Sequence, residues 1–179
     1  MEIYVADLVA VFMTRELGPV ITAIVVAGRS GSSIAAEFST MKIQEELDAL
    51  KVMGLNPSAF LLAPRLLAML IALPILTALA DLVSILGGFL CGIFVLGLSF
   101  DQYLTRTLEA VELRDFVSGL GKAVIFAVLI VSVAAWCGFT VRGGAEGVGR
   151  STTRAVVLGI FLVIVGDLIF TGLFYKFAG

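Results

Sequence analysis

The sequence predicts an all-α membrane protein, a polytopic bundle of four transmembrane helices with short amphipathic helices between them. Composition carries the first part of this prediction, because 60% of the residues are hydrophobic and only 15% are charged. Soluble domains are about half apolar and about a quarter charged. The mean hydropathy is +1.10, and the apolar residues fall in four long runs. We expect one domain over residues 1–179.

Each run approaches the length of about 20 helical residues that a bilayer requires. The runs are Leu17–Ala36, extended upstream through Val5–Met13, then Leu66–Leu98, Ala123–Val141 and Ala155–Tyr175. As a straight helix the second run would be about 50 Å long, which exceeds the ~30 Å hydrocarbon core. Either Pro74 and the pair Gly87–Gly88 bend this helix, or its ends leave the membrane.

The connector after the first run predicts a short amphipathic helix outside the membrane, over residues 40–53. Its apolar stripe is Ile43, Leu47 and Leu50, and its expected ion pairs are Lys42 with Glu46 and Asp48 with Lys51. Gly54 and Pro57 end this helix. The pattern fits an interfacial linker as well as a docking element for a partner protein.

The second connector begins with a capping box formed by Ser99 and Gln102. A weaker amphipathic stripe of Leu104, Leu108 and Val111 follows it. We therefore expect a second short helix on the opposite side of the membrane.

The distribution of lysine and arginine indicates the orientation in the membrane. The first and third connectors contain Lys42, Lys51, Arg65, Arg142, Arg150 and Arg154, whereas the opposite side contains Arg106, Arg114, Lys122 and Lys176. Because loops with more basic residues remain in the cytoplasm, the first and third connectors are expected to be cytoplasmic.

Ionisable residues inside the apolar runs indicate polar contacts within the bundle. A charge at the bilayer centre costs at least ~2.5 kcal/mol, so such residues usually face a partner or a watery path. Arg29 and Asp167 lie about 12 Å and about 20 Å from the cytoplasmic ends of their helices. We predict that Arg29 forms a buried ion pair with Asp167 or with Asp81. A structural pair of this kind carries no function of its own.

Arg15 and Glu16 lie near the other end of the first run, about 31 Å from Glu37 in the case of Glu16. They are suited either to interfacial anchoring or to a polar path that opens to the outer side. Gly18 and Pro19 follow directly, and proline removes a helix hydrogen bond. We therefore expect a loosened helix beside these two charges.

The sequence lacks the residues on which several classes of function usually depend. The chain has no histidine, so metal sites lack their commonest ligand, and no basic stripe suggests nucleic acid. The segment GAEGVGRS nearly matches a phosphate-binding loop, but arginine replaces the lysine and a membrane helix precedes it. We expect a flexible turn there, with Ser151 or Thr152 capping the last helix. Small residues at four-residue spacing cover two faces of the first run and predict close helix packing: Ala27, Gly31 and Ala35 on one face, and Gly28, Ser32 and Ala36 on the other, with Gly88 and Gly92 as a further pair.

The sequence resembles the MlaE family of ABC-transporter permeases, which serve MCE-type lipid transport systems, along essentially its whole length. Three stretches carry the resemblance, in this order: RELGPVITAIVVAGRSGSSIAAE, TMKIQEELDALKVMGLNP and GVGRSTTRAVV. Members of this family have an N-terminal interfacial helix and one more membrane helix before the position that matches Met1. Met1 is therefore expected to be a late start or a truncation.

The resemblance implies a set of partners and sites. It implies a homodimer in the bacterial inner membrane, cytoplasmic ATPase subunits that hold ATP and Mg, an MCE-domain protein on the opposite side, and a lipid substrate. The helix at 40–53 would then couple to the ATPase through Lys42, Ile43, Glu45, Glu46, Leu47, Asp48 and Leu50, with Glu46 where many relatives have glutamine. Arg15 and Glu16 match charged residues near the lipid-binding cavity of the family.

We therefore predict a lipid-transport permease that is not itself an enzyme and holds no cofactor. One alternative is a secondary transporter that uses Asp81 and Asp167 as proton sites, although such proteins usually contain internal repeats. A structural membrane scaffold is the other alternative. It would explain the small-residue faces but not the amphipathic helix at 40–53.

Overall fold

The computed structural model describes residues 10–94, 97 and 99–178, which form helices joined by short turns. The helices are α1 (Ala10–Ile43), α2 (Glu46–Val52), α3 (Ser58–Phe94), α4 (Phe100–Ala110), α5 (Leu113–Phe139) and α6 (Gly144–Ala178). Four of them, α1, α3, α5 and α6, are long and apolar enough to cross a membrane. This confirms the predicted all-α class and the four spans. Part of the expected upstream extension, residues 5–9, lies outside the described residues.

Helix α5 is the central element of the bundle. It packs against α1, α3 and α6, and half of its most apolar stretch is buried, against 11% for that of α6. Phe126 and Ile130 of α5 meet Ala23 of α1, Leu73 of α3 and Val163 of α6 in one core cluster. Since lipid is as apolar as these side chains, close van der Waals packing holds the helices together.

The small residues of α1 allow this packing. Ala27, Gly31 and Ala35 are buried, as their spacing predicts, whereas Gly28 on the adjacent face is exposed. At the α2 end of the bundle a polar contact joins three helices: the hydroxyl of Ser39 donates to Ser151, and Ser151 donates to the carbonyl oxygen of Cys137. Ser151 therefore ties α6 to α5. The prediction of a flexible turn with Ser151 or Thr152 as the cap is wrong, because α6 already begins at Gly144.

The connector at 40–53 is not one helix. Helix α1 continues through Ile43, and the chain then turns at Glu45, which has a φ of 62°. Helix α2 starts at the next residue and runs to Val52. A left-handed residue breaks the helical hydrogen-bond pattern, so the expected stripe is split between two axes.

Helix α4 lies beyond the other end of α3. Its capping box is confirmed, with the backbone N–H of Gln102 donating to the Ser99 hydroxyl. The expected stripe is wrong at Leu104, which is exposed while Tyr103 and Thr107 are buried. Val111 is half-buried, and the side chain of Leu108 lies outside the described residues. The ring of Tyr103 packs edge-on against Phe89 of α3, with centroids 5.4 Å apart. This aromatic contact selects the buried face of α4.

Candidate functional site

The first component of the site is a widened turn of α1 that contains Arg15 and Glu16. Residues Met13–Leu17 form a π-helical turn, in which the backbone N–H of Gly18 donates to the carbonyl oxygen of Met13. Pro19 has no N–H to offer the preceding turn, which favours this wider spacing. The loosened helix predicted beside these charges is confirmed. Such π turns are frequent at functional sites.

Two glycines let neighbouring helices approach this turn. A Cβ atom on Gly18 would lie 1.8 Å from the Oδ1 atom of Asp81 in α3, and one on Gly119 of α5 would lie 2.2 Å from the carbonyl oxygen of Thr14. Both distances are far below van der Waals contact. At Gly119 the obstacle is backbone, so glycine is required for α5 to pack as closely as it does, whereas at Gly18 a Cβ atom would have to displace the carboxylate of Asp81.

Lys122 of α5 is the centre of the polar contacts. Its side chain is 1% exposed, and its ammonium group contacts the carboxylate of Glu16 and donates to the Thr171 hydroxyl at 2.8 Å. The Nζ atom also lies 2.9 Å from Oδ1 of Asp167, an electrostatic contact without the angles of a hydrogen bond. An ammonium has three donors, and a buried one is tolerable only with such partners.

Arg15 extends this cluster toward the α4 end of the bundle. Its guanidinium group lies 3.9 Å from Glu16, 3.7 Å from Asp115 and 5.2 Å from the centre of the Phe174 ring. The cluster thus joins Arg15 and Lys122 with three carboxylates, which we call the ion cluster. Its residues are Arg15, Glu16, Asp115, Lys122, Asp167 and Thr171.

The ion cluster is buried on one side and open on the other. Lys122 is enclosed, whereas the side chains of Glu16, Arg15 and Asp167 are 19%, 21% and 23% exposed. The aromatic ring of Phe170 lies 5.9 Å from the lysine nitrogen. This geometry offers exposed charges of both signs next to apolar walls.

The predicted pairing of Arg29 with Asp167 or Asp81 is not observed, because Asp167 contacts Lys122 instead. Arg29 lies in a second π turn, Ala27–Gly31, and is exposed. No ion pair joins it to either aspartate among the described residues. The predicted pair was based only on the depth of each residue along its helix. Arg29 lies on a face of α1 that points away from the core.

Asp81 lies apart from these ion pairs. It is 3% exposed, and its Oδ1 atom has no hydrogen-bond partner within the described part of the chain. Its closest neighbour on α1 is Gly18. Of the three residues predicted to pair, Arg29, Asp81 and Asp167, only Asp167 has an ion pair among the described residues, and its partner is Lys122.

Lys122 is the central residue of the ion cluster, and the sequence did not predict it. In the sequence Lys122 directly precedes the third apolar run and was assigned to the connector before it. In the structure α5 already begins at Leu113. Lys122 therefore lies about 14 Å along the helix. Asp115 and Glu112 form a reciprocal cap at the start of α5, and recognising this cap would have moved the helix start upstream.

The connector residues expected to contact a partner fall into two groups. Leu47 is buried against Phe38 and Leu61 and belongs to the core. Glu45, Glu46 and Asp48 are exposed, as are the apolar side chains of Val52 and Met53, at 89% and 65%. The outward face of α2 is therefore formed by these five exposed residues and not by the predicted apolar stripe. Of that stripe, Ile43 and Leu50 are partly exposed and lie beside this face.

Asp48 organises the charges of this connector. Lys51 donates to it at 2.7 Å, which confirms the predicted i,i+3 pair, while Lys42 contacts Asp48 at 3.7 Å rather than Glu46. The break at Glu45 turns Lys42 away from the expected i,i+4 position. The hydrogen bond from Lys51, with the charge of Lys42, holds the pKa of Asp48 below its usual value.

Comparisons with known proteins identify the family. The family model described as Permease MlaE matches residues 1–173. A probable ABC transporter permease protein of Rickettsia typhi is 41% identical over 96% of this chain and 66% of its own length. A probable permease of Synechocystis is 35% identical over 98% and 66%.

A further relative is the chloroplast protein TRIGALACTOSYLDIACYLGLYCEROL 1 of Arabidopsis thaliana, which is 38% identical over 98% of this chain and 50% of its own length. The chain thus spans just under two thirds of the rickettsial and cyanobacterial relatives and half of the plant one. With four spans and a family match over nearly its whole length, the chain belongs to the MlaE family of ABC transporter permeases.

Proposed function

We propose that the chain is the membrane-spanning subunit of an ABC transporter that moves lipids between the inner membrane and an MCE-domain protein on the opposite side. In this proposal a separate cytoplasmic ATPase binds ATP and Mg, and two copies of the permease enclose the lipid path. The plant relative bears the name of a glycerolipid, trigalactosyldiacylglycerol. That name supports a lipid as substrate.

The observation that carries the proposal is the half-open ion cluster within an apolar bundle. Lys122 is enclosed at the centre of the cluster, whereas Arg15, Glu16 and Asp167 around it remain partly exposed. Charges of both signs can meet the phosphate and the amine or hydroxyl groups of a lipid head group. Phe170 and Phe174 offer apolar surface beside it. An intramembrane charge cluster of this kind marks a substrate path by default.

The outward face of α2 is the proposed contact with the ATPase. Glu45, Glu46 and Asp48 provide negative charge, and Val52 and Met53 provide exposed apolar surface at its edge. Leu47 packs into the core beneath this face. Movement of a docked ATPase would therefore be transmitted through Leu47 and Phe38 to α1, whose other end contains Arg15 and Glu16.

The alternative of proton-coupled transport through Asp81 and Asp167 is less well supported. Asp167 already contacts the ammonium of Lys122 and is part of the ion cluster. Asp81 alone remains for a proton relay, and the described neighbours of its Oδ1 atom include no second acceptor or donor in hydrogen-bond contact.

Reconstitution with an ABC ATPase and an MCE-domain protein from the same organism tests the proposal. We expect Glu16→Gln, which keeps the shape but removes the charge, to reduce ATP-dependent lipid transfer at least about tenfold, as loss of a charge-assisted contact does. Assembly with the ATPase should be unchanged. The matched control is Arg29→Gln, which removes an exposed intramembrane charge and should transfer lipid normally. Normal transfer by Glu16→Gln, or failure to recruit any ATPase, would contradict the proposal.

A further inference from the structure

A second polar region lies at the α2 end of the bundle, remote from the ion cluster along α6. A cavity of about 280 Å³ opens between the end of α5 and the start of α6, and three arginines line it: Arg142, Arg150 and Arg154. An adjoining cavity of about 490 Å³ shares Arg150 and Arg154 and continues along α6 to Val157 and Leu158. We call the two together the basic cleft.

Positive charge in the basic cleft is largely unbalanced. Arg150 pairs with Glu146 at 2.6 Å, but no carboxylate lies within ion-pair distance of Arg142 or Arg154 among the described residues. Arg154 instead lies over the ring of Trp136, 4.5 Å from its centre. This contact orients the guanidinium plane while leaving its N–H donors available. Arginine's planar donors match the oxygens of a phosphate group.

The position of the basic cleft corresponds to the head-group level of a membrane. Arg154 is the last charged residue before the apolar run that begins at Ala155, and tryptophan at the end of a membrane helix is typical of the interface. Farther along α6 the cleft becomes apolar, because Val157 and Leu158 line it there. A basic upper part above an apolar groove matches the division of a lipid into phosphate and acyl chain.

We propose that the basic cleft binds the phosphate of an anionic phospholipid from the leaflet on the α2 side, with an acyl chain along Val157 and Leu158. Basic pockets between membrane helices bind such head groups. The segment GAEGVGRS contributes Gly147, Gly149, Arg150 and Ser151 to this cleft. Its likeness to a phosphate-binding loop is then explained by a phosphate ligand, although the segment is helical and not a nucleotide loop.

Spin-labelled lipids in nanodiscs test this assignment. The full chain is reconstituted in phosphatidylcholine with trace spin-labelled phosphatidylglycerol or phosphatidylcholine, and the motionally restricted fraction gives the selectivity for the anionic lipid. We expect the double variant Arg142→Gln, Arg154→Gln to lose at least about twenty-fivefold in relative affinity, since each basic residue near the surface contributes about fivefold. Arg154→Lys should retain an intermediate affinity, because the charge remains without the planar donors.

The control is Lys51→Gln, which removes a positive charge on the same side but outside the cleft, where Lys42 remains beside Asp48. If the anionic lipid were attracted only by the overall positive charge of this side, Lys51→Gln would lose as much relative affinity for it as Arg154→Gln. That result would overturn the proposal. Competition distinguishes a lipid from free phosphate. Dihexanoyl-phosphatidylglycerol should displace the labelled lipid at a concentration at least about tenfold below that of glycerol phosphate, because the groove buries apolar chain. Equal potency, or displacement by inorganic phosphate alone, would show that the cleft is not a lipid site.

Discussion

At the scale of single residues, Lys122 shows how one buried charge organises several helices. A lysine is rarely enclosed, because desolvating the ammonium costs several kcal/mol. Here Glu16 from α1 and Asp167 and Thr171 from α6 surround it. The ammonium thereby joins three membrane spans at one depth. Removing it would leave carboxylates without a counter-ion.

We expect Lys122→Met to destabilise the protein by about 3–5 kcal/mol, the usual effect of breaking a buried ion pair. Combining it with Asp167→Asn should restore part of the loss, because the stranded carboxylate is then neutral. Thermal unfolding in detergent measures both variants, with Arg29→Met as the control that removes an exposed charge and changes stability by less than about 0.5 kcal/mol. Losses that simply add in the double variant would argue against the ion pair.

The contact of Gly18 with Asp81 gives a second prediction at this scale. Gly18→Ala places a methyl group 1.8 Å from an aspartate oxygen, and such overpacking costs about 1–3 kcal/mol. Gly28→Ala has nothing within 4 Å of the new atom, so its higher helix propensity should leave stability equal or raised by up to about 1 kcal/mol. Melting temperatures of the two variants compare them directly. Equal losses at both positions would mean that α3 does not approach α1 at Gly18.

At the scale of elements, local breaks in the helices position the functional side chains. The π turn at Met13–Leu17 precedes Pro19 and presents Arg15 and Glu16. The left-handed residue Glu45 separates α1 from α2. At both places a local change in backbone conformation changes the direction in which the following side chains face. The amphipathic pattern of the connector then predicts which residues are apolar but not which of them are buried.

The conformation of Glu45 predicts opposite effects at two adjacent glutamates. Glu45→Gly should raise stability by up to about 1 kcal/mol, because glycine adopts a positive φ without steric cost. Glu46→Gly should lower it by about 1 kcal/mol, since Glu46 is the first residue of α2 and has helical geometry. Thermal unfolding and hydrogen exchange of the α2 amides test the pair. A loss at Glu45→Gly equal to that at Glu46→Gly would contradict the left-handed turn.

At the scale of the whole molecule, the four spans place α2 and the α5–α6 connector at one end and α4 at the other. The ion cluster lies toward the α4 end, and the basic cleft lies at the α2 end. The two polar regions are thus separated along the length of α6. Between the two polar regions, much of the surface of α3 and α6 consists of exposed apolar side chains, as a surface that faces lipid or another subunit requires.

Cysteine labelling tests this arrangement and the predicted orientation together. In a background of Cys91→Ala and Cys137→Ala, Met53→Cys and Glu112→Cys each place one exposed thiol at opposite ends of the bundle. An impermeant maleimide should label Glu112→Cys in intact spheroplasts and Met53→Cys only after the membrane is opened. The expectation follows from the larger number of basic residues on the α2 side. Labelling of both thiols in intact spheroplasts, or the reverse pattern, would contradict it.

The sequence by itself determined the helices, their number and several local features. Apolar runs of sufficient length predicted four spans, Ser99 and Gln102 predicted the cap of α4, and Pro19 predicted the loosened turn. These features depend on neighbours along the chain and on backbone chemistry. Depth was also readable, since each helical residue advances about 1.5 Å. For that reason Glu16 could be placed near the end of the bundle where the ion cluster lies, whereas depth alone paired Asp167 with Arg29.

Only the tertiary structure decided which side chains meet. Lys122 rather than Arg29 contacts Asp167, and Leu47 is buried instead of facing a partner. The physical reason is that depth follows from distance along one helix, whereas contact depends on the rotation of each helix about its axis. That rotation is set by packing at places such as Gly18 and Gly119, where helices separated by long stretches of sequence come together.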